Sequence, residues 1–137
     1  MKVFFSGSRE VLYLPEEAKK LLSEFMKEGH EILVGDAKGV DSLVQEYCSK
    51  NNYFKVTVYS IYEKPRFLAS EKFNVKHIKL PDYYRGATER ERQTVKDATA
   101  TSDCDFAVAI WNGKSKGTLE NIKRLEKYKK KYYLIKV

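Results

Sequence analysis

The segment NGKSKGT, residues 112–118, places two glycines, two lysines, a serine and a threonine between the apolar run DFAVAIW and the amphipathic run LENIKRLEKYKKK. That composition suits a phosphate. Gly113 and Gly117 let the backbone approach an anion, Ser115 and Thr118 offer hydroxyls, and Lys114 or Lys116 adds charge. A helix starting there would add unpaired N–H groups and a favourable dipole. The same residues also fit a plain tight turn with a threonine cap. The spacing is not that of a Walker A loop, because no lysine stands between Gly117 and Thr118, and no segment carries G-x-G-x-x-G.

Other segments offer matching chemistry. SGSRE supplies Ser6, Ser8 and Arg9 beside Gly7 at the end of an apolar run, and SIYEKPR supplies Arg66. GDAKGVDS supplies Gly35, Asp36, Gly39 and Asp41. Asp41 stands in the first turn of an expected helix, where a carboxylate is favoured by the dipole but repels phosphate. It is therefore expected to hold ribose hydroxyls or loop amides, or else to serve stability alone. ERERQTVKDA supplies Arg90 and Arg92, either as bidentate phosphate ligands or as partners of Glu89 and Glu91 along the helix. Glu120 is the carboxylate beside the glycine-rich loop, able to polarise a sugar or a water, or simply an acid at a helix start. Trp111 ends its strand beside that loop, where it either stacks on a base or closes a core edge. His30 and His77 have no partner at catalytic or metal-ligand spacing, so no metal and no resident cofactor is expected, although a phosphate ligand could bring Mg2+ with it.

These segments need a frame that brings them together, and the hydrophobic pattern supplies one. KVFFS, EILVG, KVTVYSIY, DFAVAIW and YYLIKV read as strands, with VKHIKL only a hint of another. Between them, Ala18, Leu21, Leu22, Phe25 and Met26 form a helical stripe after Pro15, at the expected first helical position, with Gly29 as its stop. Val40, Leu43, Val44, Tyr47 and Cys48 form a second. ATERERQTVKDATATSD reads as a polar helix with a core face limited to Val95 and Ala98, and Leu119, Ile122 and Leu125 mark a last helix. Residues 61–85 show little periodicity. Strands alternating with helices imply a three-layer α/β fold with a mostly parallel sheet of about five strands, and ligands then bind at the carboxyl ends of those strands.

The bulk properties agree with one such unit. The 137 residues fit a single domain, no apolar run approaches the roughly 20 residues of a membrane span, and the N-terminus lacks a secretory pattern, so a cytoplasmic protein is expected. Cys48 and Cys104 lie far apart without metal spacing and are expected as buried, reduced thiols. The formal charge of +7 suits an anionic partner, with much of it on the C-terminal lysines, a solvated helix face being the simpler account of that run.

Taken jointly, SGSRE, GDAKGVD, ERERQTVKDA and SDCDFAVAIWNGKSKGT resemble the SLOG superfamily, and more closely its small bacterial and phage members similar to the YspA group. GDAKGVD looks like that group's GGAxGxD loop, and IWNGKSKGT like its FWDGxSxGT loop. The resemblance runs from Met1 to Val137 and is weakest over residues 61–85. It implies a Rossmann-like fold binding nucleotides or nucleotide-derived ligands, often proposed to act in stress or phage-related signalling. The superfamily also holds the Lonely Guy phosphoribohydrolases, whose PGGxGTxxE loop and preceding arginine cleave nucleoside monophosphates. Gly117 and Thr118 match their GT and Arg92 their arginine, but WNG replaces PGG and the motif glutamate falls on Asn121, an amide that cannot act as a general base.

The leading expectation is a nucleotide-like small molecule held by these loops, with phosphate at residues 113–118 and Arg90 or Arg92 closing on it. An N-glycosidase using Glu120 and Arg92 in the same pocket is the alternative. A nucleic-acid-binding module built on Lys129, Lys130 and Lys131 with interleaved tyrosines ranks below both. The sheet edges and the apolar third strand leave room for a homodimer, and no membrane association is expected.

Overall fold

The computed structural model describes residues 1–137. Six strands, β1 (Lys2–Gly7), β2 (Glu31–Val34), β3 (Val56–Ser60), β4 (Asn74–His77), β5 (Phe106–Trp111) and β6 (Lys131–Lys136), form one sheet in the order β4-β3-β2-β1-β5-β6. Every neighbouring pair is parallel. Four helices accompany them: α1 (Glu16–Lys27), α2 (Val40–Lys50), α3 (Glu89–Asp103) and α4 (Lys116–Lys127). No helix is long and apolar enough to cross a membrane.

The continuous apolar runs make sense because the sheet is covered on both faces. Along β1, Val3 and Phe5 enter a core shared with Leu22 of α1 and Val44 of α2, while Phe4 enters a second core with Ala100 of α3 and Leu125 of α4. Each of the valine, leucine and phenylalanine side chains fully removed from water contributes roughly 1.5–3 kcal/mol. The sheet has six strands where about five were expected. The additional strand is the VKHIKL hint: β4 is an edge strand with all four residues exposed, so no burial pattern marks it in the sequence.

Two helices differ from expectation, one of them in a way that matters for function. Pro15 stands at the N-cap of α1 rather than at its first helical position, a one-residue shift without consequence. In α3 the difference is larger: Val95 and Ala98 are only half-buried, whereas Gln93, Lys96, Ala100 and Thr101 are buried. The helix starts with a capping box in which Thr88 and Glu91 satisfy each other's backbone N–H groups. It therefore needs little apolar surface to begin, and it turns a polar face inward.

Candidate ligand-binding site

The chain from β1 turns toward the α1 face of the sheet, and the chain from β5 turns toward the α4 face, although the two strands are neighbours. Such a switch point opens a crevice at the strands' carboxyl ends. A cavity of about 360 Å³ lies there, lined by the ends of β1 and β5's successor α4, the loop after β2, and the inward face of α3. Ser8 fixes this geometry, since its N–H donates to the Ile110 carbonyl at 3.0 Å and its hydroxyl accepts from Asn112 N–H at 3.2 Å. Gly7 permits it, because a Cβ there would lie 2.4 Å from Val40 Cγ2 and 2.6 Å from the Ile110 carbonyl oxygen.

The outer wall is the start of α4. Asn112 Oδ1 accepts from the N–H groups of Lys114 and Ser115, both at 2.9 Å, and Ser115 Oγ caps the helix through Thr118 N–H at 3.4 Å. The first-turn amides of Lys116 and Gly117 have no intrahelical acceptor and favour an anion. Arg90 reaches this point from α3. Its Nη1 lies 2.7 Å from where a Gly117 Cβ would stand, and its Nη2 pairs with Asp97 at 3.1 Å and Glu120 at 3.4 Å. A guanidinium thus rests over a helix N-terminus that lacks a side chain at the point of contact.

Behind the inner wall lies a network of buried charged and polar groups. Asp36 is saturated: Arg66 donates to Oδ1 from Nε at 3.1 Å and Nη2 at 2.8 Å, while the Arg66 N–H at 2.9 Å and the Ser60 hydroxyl at 2.7 Å donate to Oδ2. Burial pushes this carboxyl up, but the bonds from Arg66 and Ser60 and the charge of Lys96 together hold it below the ordinary range. Gln45, fully buried, adds a second tie, donating to the Gly35 and Phe67 carbonyls at 2.9 and 3.3 Å and accepting from Ala69 N–H at 3.0 Å. These bonds hold residues 66–69 against the end of β2. Asp41 is the contrasting carboxylate. It accepts from Ala37 N–H at 3.1 Å, and burial pushes it up to about 6 despite the nearby Lys96.

Lys96 is 4% exposed, with Nζ 3.6 Å from Asp36 Oδ1 and 3.8 Å from Asp97 Oδ1. Two further buried groups border the same cavity without a hydrogen-bond partner, Ser6 Oγ and Gln93 Oε1. Buried polar atoms are nearly always paired, so these two are open to the polar groups of whatever occupies the cavity, water or ligand.

Of the residues expected at a site, the cavity is lined by Gly7, Arg9, Gly35, Asp41 and Arg66, and across from them by Arg90, Ser115, Gly117 and Thr118. The remaining expected residues lie outside its lining. Ser8 and Asp36 are consumed by the hydrogen bonds above. Gly39, at φ +84°, lets the start of α2 touch the backbone of Arg9, where a Cβ would lie 2.5 Å from Arg9 Cα. Gly113, at φ +79°, shapes the turn. Trp111 donates from Nε1 to the Ser115 carbonyl at 3.0 Å, bracing the loop from behind. Arg92 pairs with Glu89 at 3.4 Å, and Glu120 pairs with Arg90, its side chain 46% exposed. At these positions Arg90 and Asn121 are the ones that face the cavity. Ser6, offered by SGSRE, also lines it, whereas Gln93, Lys96 and Asp97 have no counterpart among the expected residues. The signal of these three is a run of polar residues at helical spacing, Glu89, Gln93, Lys96 and Asp97, on a helix with few apolar residues, a pattern ordinarily read as a solvated face.

No family model matches the chain, and no curated protein matches it in sequence. Solved structures do share its fold. The molybdenum cofactor binding protein from the phototrophic bacterium Rippkaea orientalis is similar with a TM-score of 0.70 at 15% identity, covering 99% of this chain and 76% of that one. DNA processing protein A from Helicobacter pylori, described with a single-stranded DNA binding mode, is similar with a TM-score of 0.64 at 18% identity, covering 98% of this chain and 64% of that one. At these identities the likeness establishes the Rossmann-like α/β fold.

Proposed function

We propose that this chain, as a SLOG-type protein, binds a nucleotide or nucleotide-derived small molecule at the β1–β5 switch point, with its phosphate against Arg90 and the first turn of α4. The observation that carries the reading is the pairing of that cationic, amide-bearing wall with buried, unpartnered Ser6 and Gln93 in one cavity. The two fold neighbours bind a molybdenum cofactor and single-stranded DNA, respectively. For this chain a recessed cavity of about 360 Å³ favours one small molecule over a strand. The lysine tract is also less free than its sequence suggests, because Lys130 Nζ is committed to the carbonyls of Ser102 and Cys104 at 3.1 and 2.8 Å, at the end of α3.

The test is titration calorimetry with a panel of nucleoside mono- and diphosphates on the wild-type protein and on Arg90→Ala. A hydrogen-bonded charge pair is worth about 1.5–3 kcal/mol, so the variant should lose roughly 10- to 150-fold in affinity. Absence of binding across the panel, or equal affinity of the variant, contradicts the proposal.

A hydrolytic reading draws on one observation, that Asp41 lines the cavity with its carboxyl shifted toward neutrality by burial, the range suited to a proton donor or acceptor. In this version Asp41, rather than Glu120, handles the proton at the N-glycosidic bond of a nucleoside monophosphate. Free base released by wild-type protein and not by Asp41→Asn supports it. Intact nucleotide after prolonged incubation with stoichiometric enzyme rules it out.

A further inference from the structure

Resting on the nucleotide reading, we infer that the inner end of the cavity is a pentose subsite, in which Lys96, Gln93 and Ser6 hydrogen-bond the ring hydroxyls of a ribosyl 5'-phosphate, and that the sugar rather than the base is what the protein selects.

The lining favours a polyhydroxylated group as the principal determinant. Of 19 lining residues four are hydrophobic, and the rest are charged, amide, hydroxyl or glycine positions. Dense, mixed donors and acceptors of this kind suit a polyhydroxylated group. A secondary hydroxyl needs both kinds at once. Gln93 Nε2 is committed to Glu89 Oε1 at 2.8 Å, which fixes the amide's orientation and leaves Oε1 as a free acceptor. Ser6 Oγ is likewise free and can donate or accept. Lys96 has only donors, and its carboxylate neighbours at 3.6 and 3.8 Å neutralise its charge without closing a hydrogen bond on it.

The spacing also fits a sugar. Asp97 stands between the two cations, one oxygen 3.1 Å from Arg90 and the other 3.8 Å from Lys96, so both flank a single carboxylate. A phosphate at Arg90 and hydroxyls at Lys96 would therefore flank one carboxylate, close enough to belong to a single small molecule. Gly35 leaves the required room, since a Cβ there would stand 2.4 Å from Asp41 Oδ2 and 3.1 Å from Lys96 Nζ.

The experiment measures affinities of ribose 5-phosphate, 2-deoxyribose 5-phosphate, adenosine 5'-monophosphate, its 2'-deoxy analogue and inorganic phosphate. Removing a hydroxyl strands buried partners, so each deoxy compound should bind on the order of 10- to 100-fold more weakly than its ribo counterpart. Ribose 5-phosphate should bind within about tenfold of the nucleotide, because the base adds few contacts. In Lys96→Met and in Ser6→Ala, the second a small change expected to leave folding intact, the ribo-to-deoxy ratio should fall toward one. Equal affinity for ribo and deoxy forms overturns the inference, as does a nucleotide that binds while ribose 5-phosphate does not; either result leaves the nucleotide reading standing. Failure of every compound, the nucleotide included, overturns both.

Discussion

Asp41→Asn should make the protein more stable at neutral pH than at acid pH relative to wild type. Burial raises the Asp41 carboxyl from 3.8 to about 6 in the folded chain. Between those values the unfolded chain has released this proton while the folded chain keeps it, so raising the pH favours unfolding. The folded state's advantage from this group is complete below about pH 4 and is lost as pH climbs through 6. A displacement of about two pKa units corresponds to about 3 kcal/mol. Because the residue borders an open cavity, solvent screening reduces the expected effect to about 1–2 kcal/mol. Asparagine retains an acceptor for Ala37 N–H and carries no charge to desolvate. Urea unfolding of both proteins from pH 4.5 to 8 reads the effect as a difference, in which the titration of other groups largely cancels. The variant's relative stability should rise with pH and level off above about 7. A difference that is flat across this range, or that falls, refutes the assignment of Asp41 as a carboxylate ionised against its environment.

Asp36→Ala should be strongly destabilising, by about 2–4 kcal/mol, because it strands Arg66 and the Ser60 hydroxyl and releases the 66–69 segment; thermal unfolding measures the loss, and limited proteolysis locates it. Cys48 and Cys104 are buried and their thiols are pushed up by burial to about 12 and about 11, so neither should react with a thiol reagent at pH 8 until the protein is unfolded in urea.

Much of this architecture is legible in the sequence because burial on both faces of a parallel sheet leaves uninterrupted apolar runs, as in KVFFS and DFAVAIW. The convergence of SGSRE, GDAKGVD and NGKSKGT follows from that topology alone. Three things were hidden. β4 has no buried face to leave a pattern. The 66–69 segment is held by long-range bonds to Asp36 and Gln45, which have no local sequence signature. The inward face of α3 is polar, so periodicity pointed to Val95 and Ala98 while Gln93 and Lys96 went unseen. Between Arg90 and Arg92, and between Glu120 and Asn121, helical phase selects which side chain faces the cavity, and one sequence does not fix that phase to a single residue.

The most direct measurement of the central claim is amide chemical-shift mapping during titration with a ribonucleoside 5'-monophosphate. Shifts concentrated at Gly7, Gly35, Gly117 and Thr118, together with the first turns of α3, are the expected result. Shifts confined to Lys129, Lys130 and Lys131 with the β1–β5 crevice unmoved would contradict it.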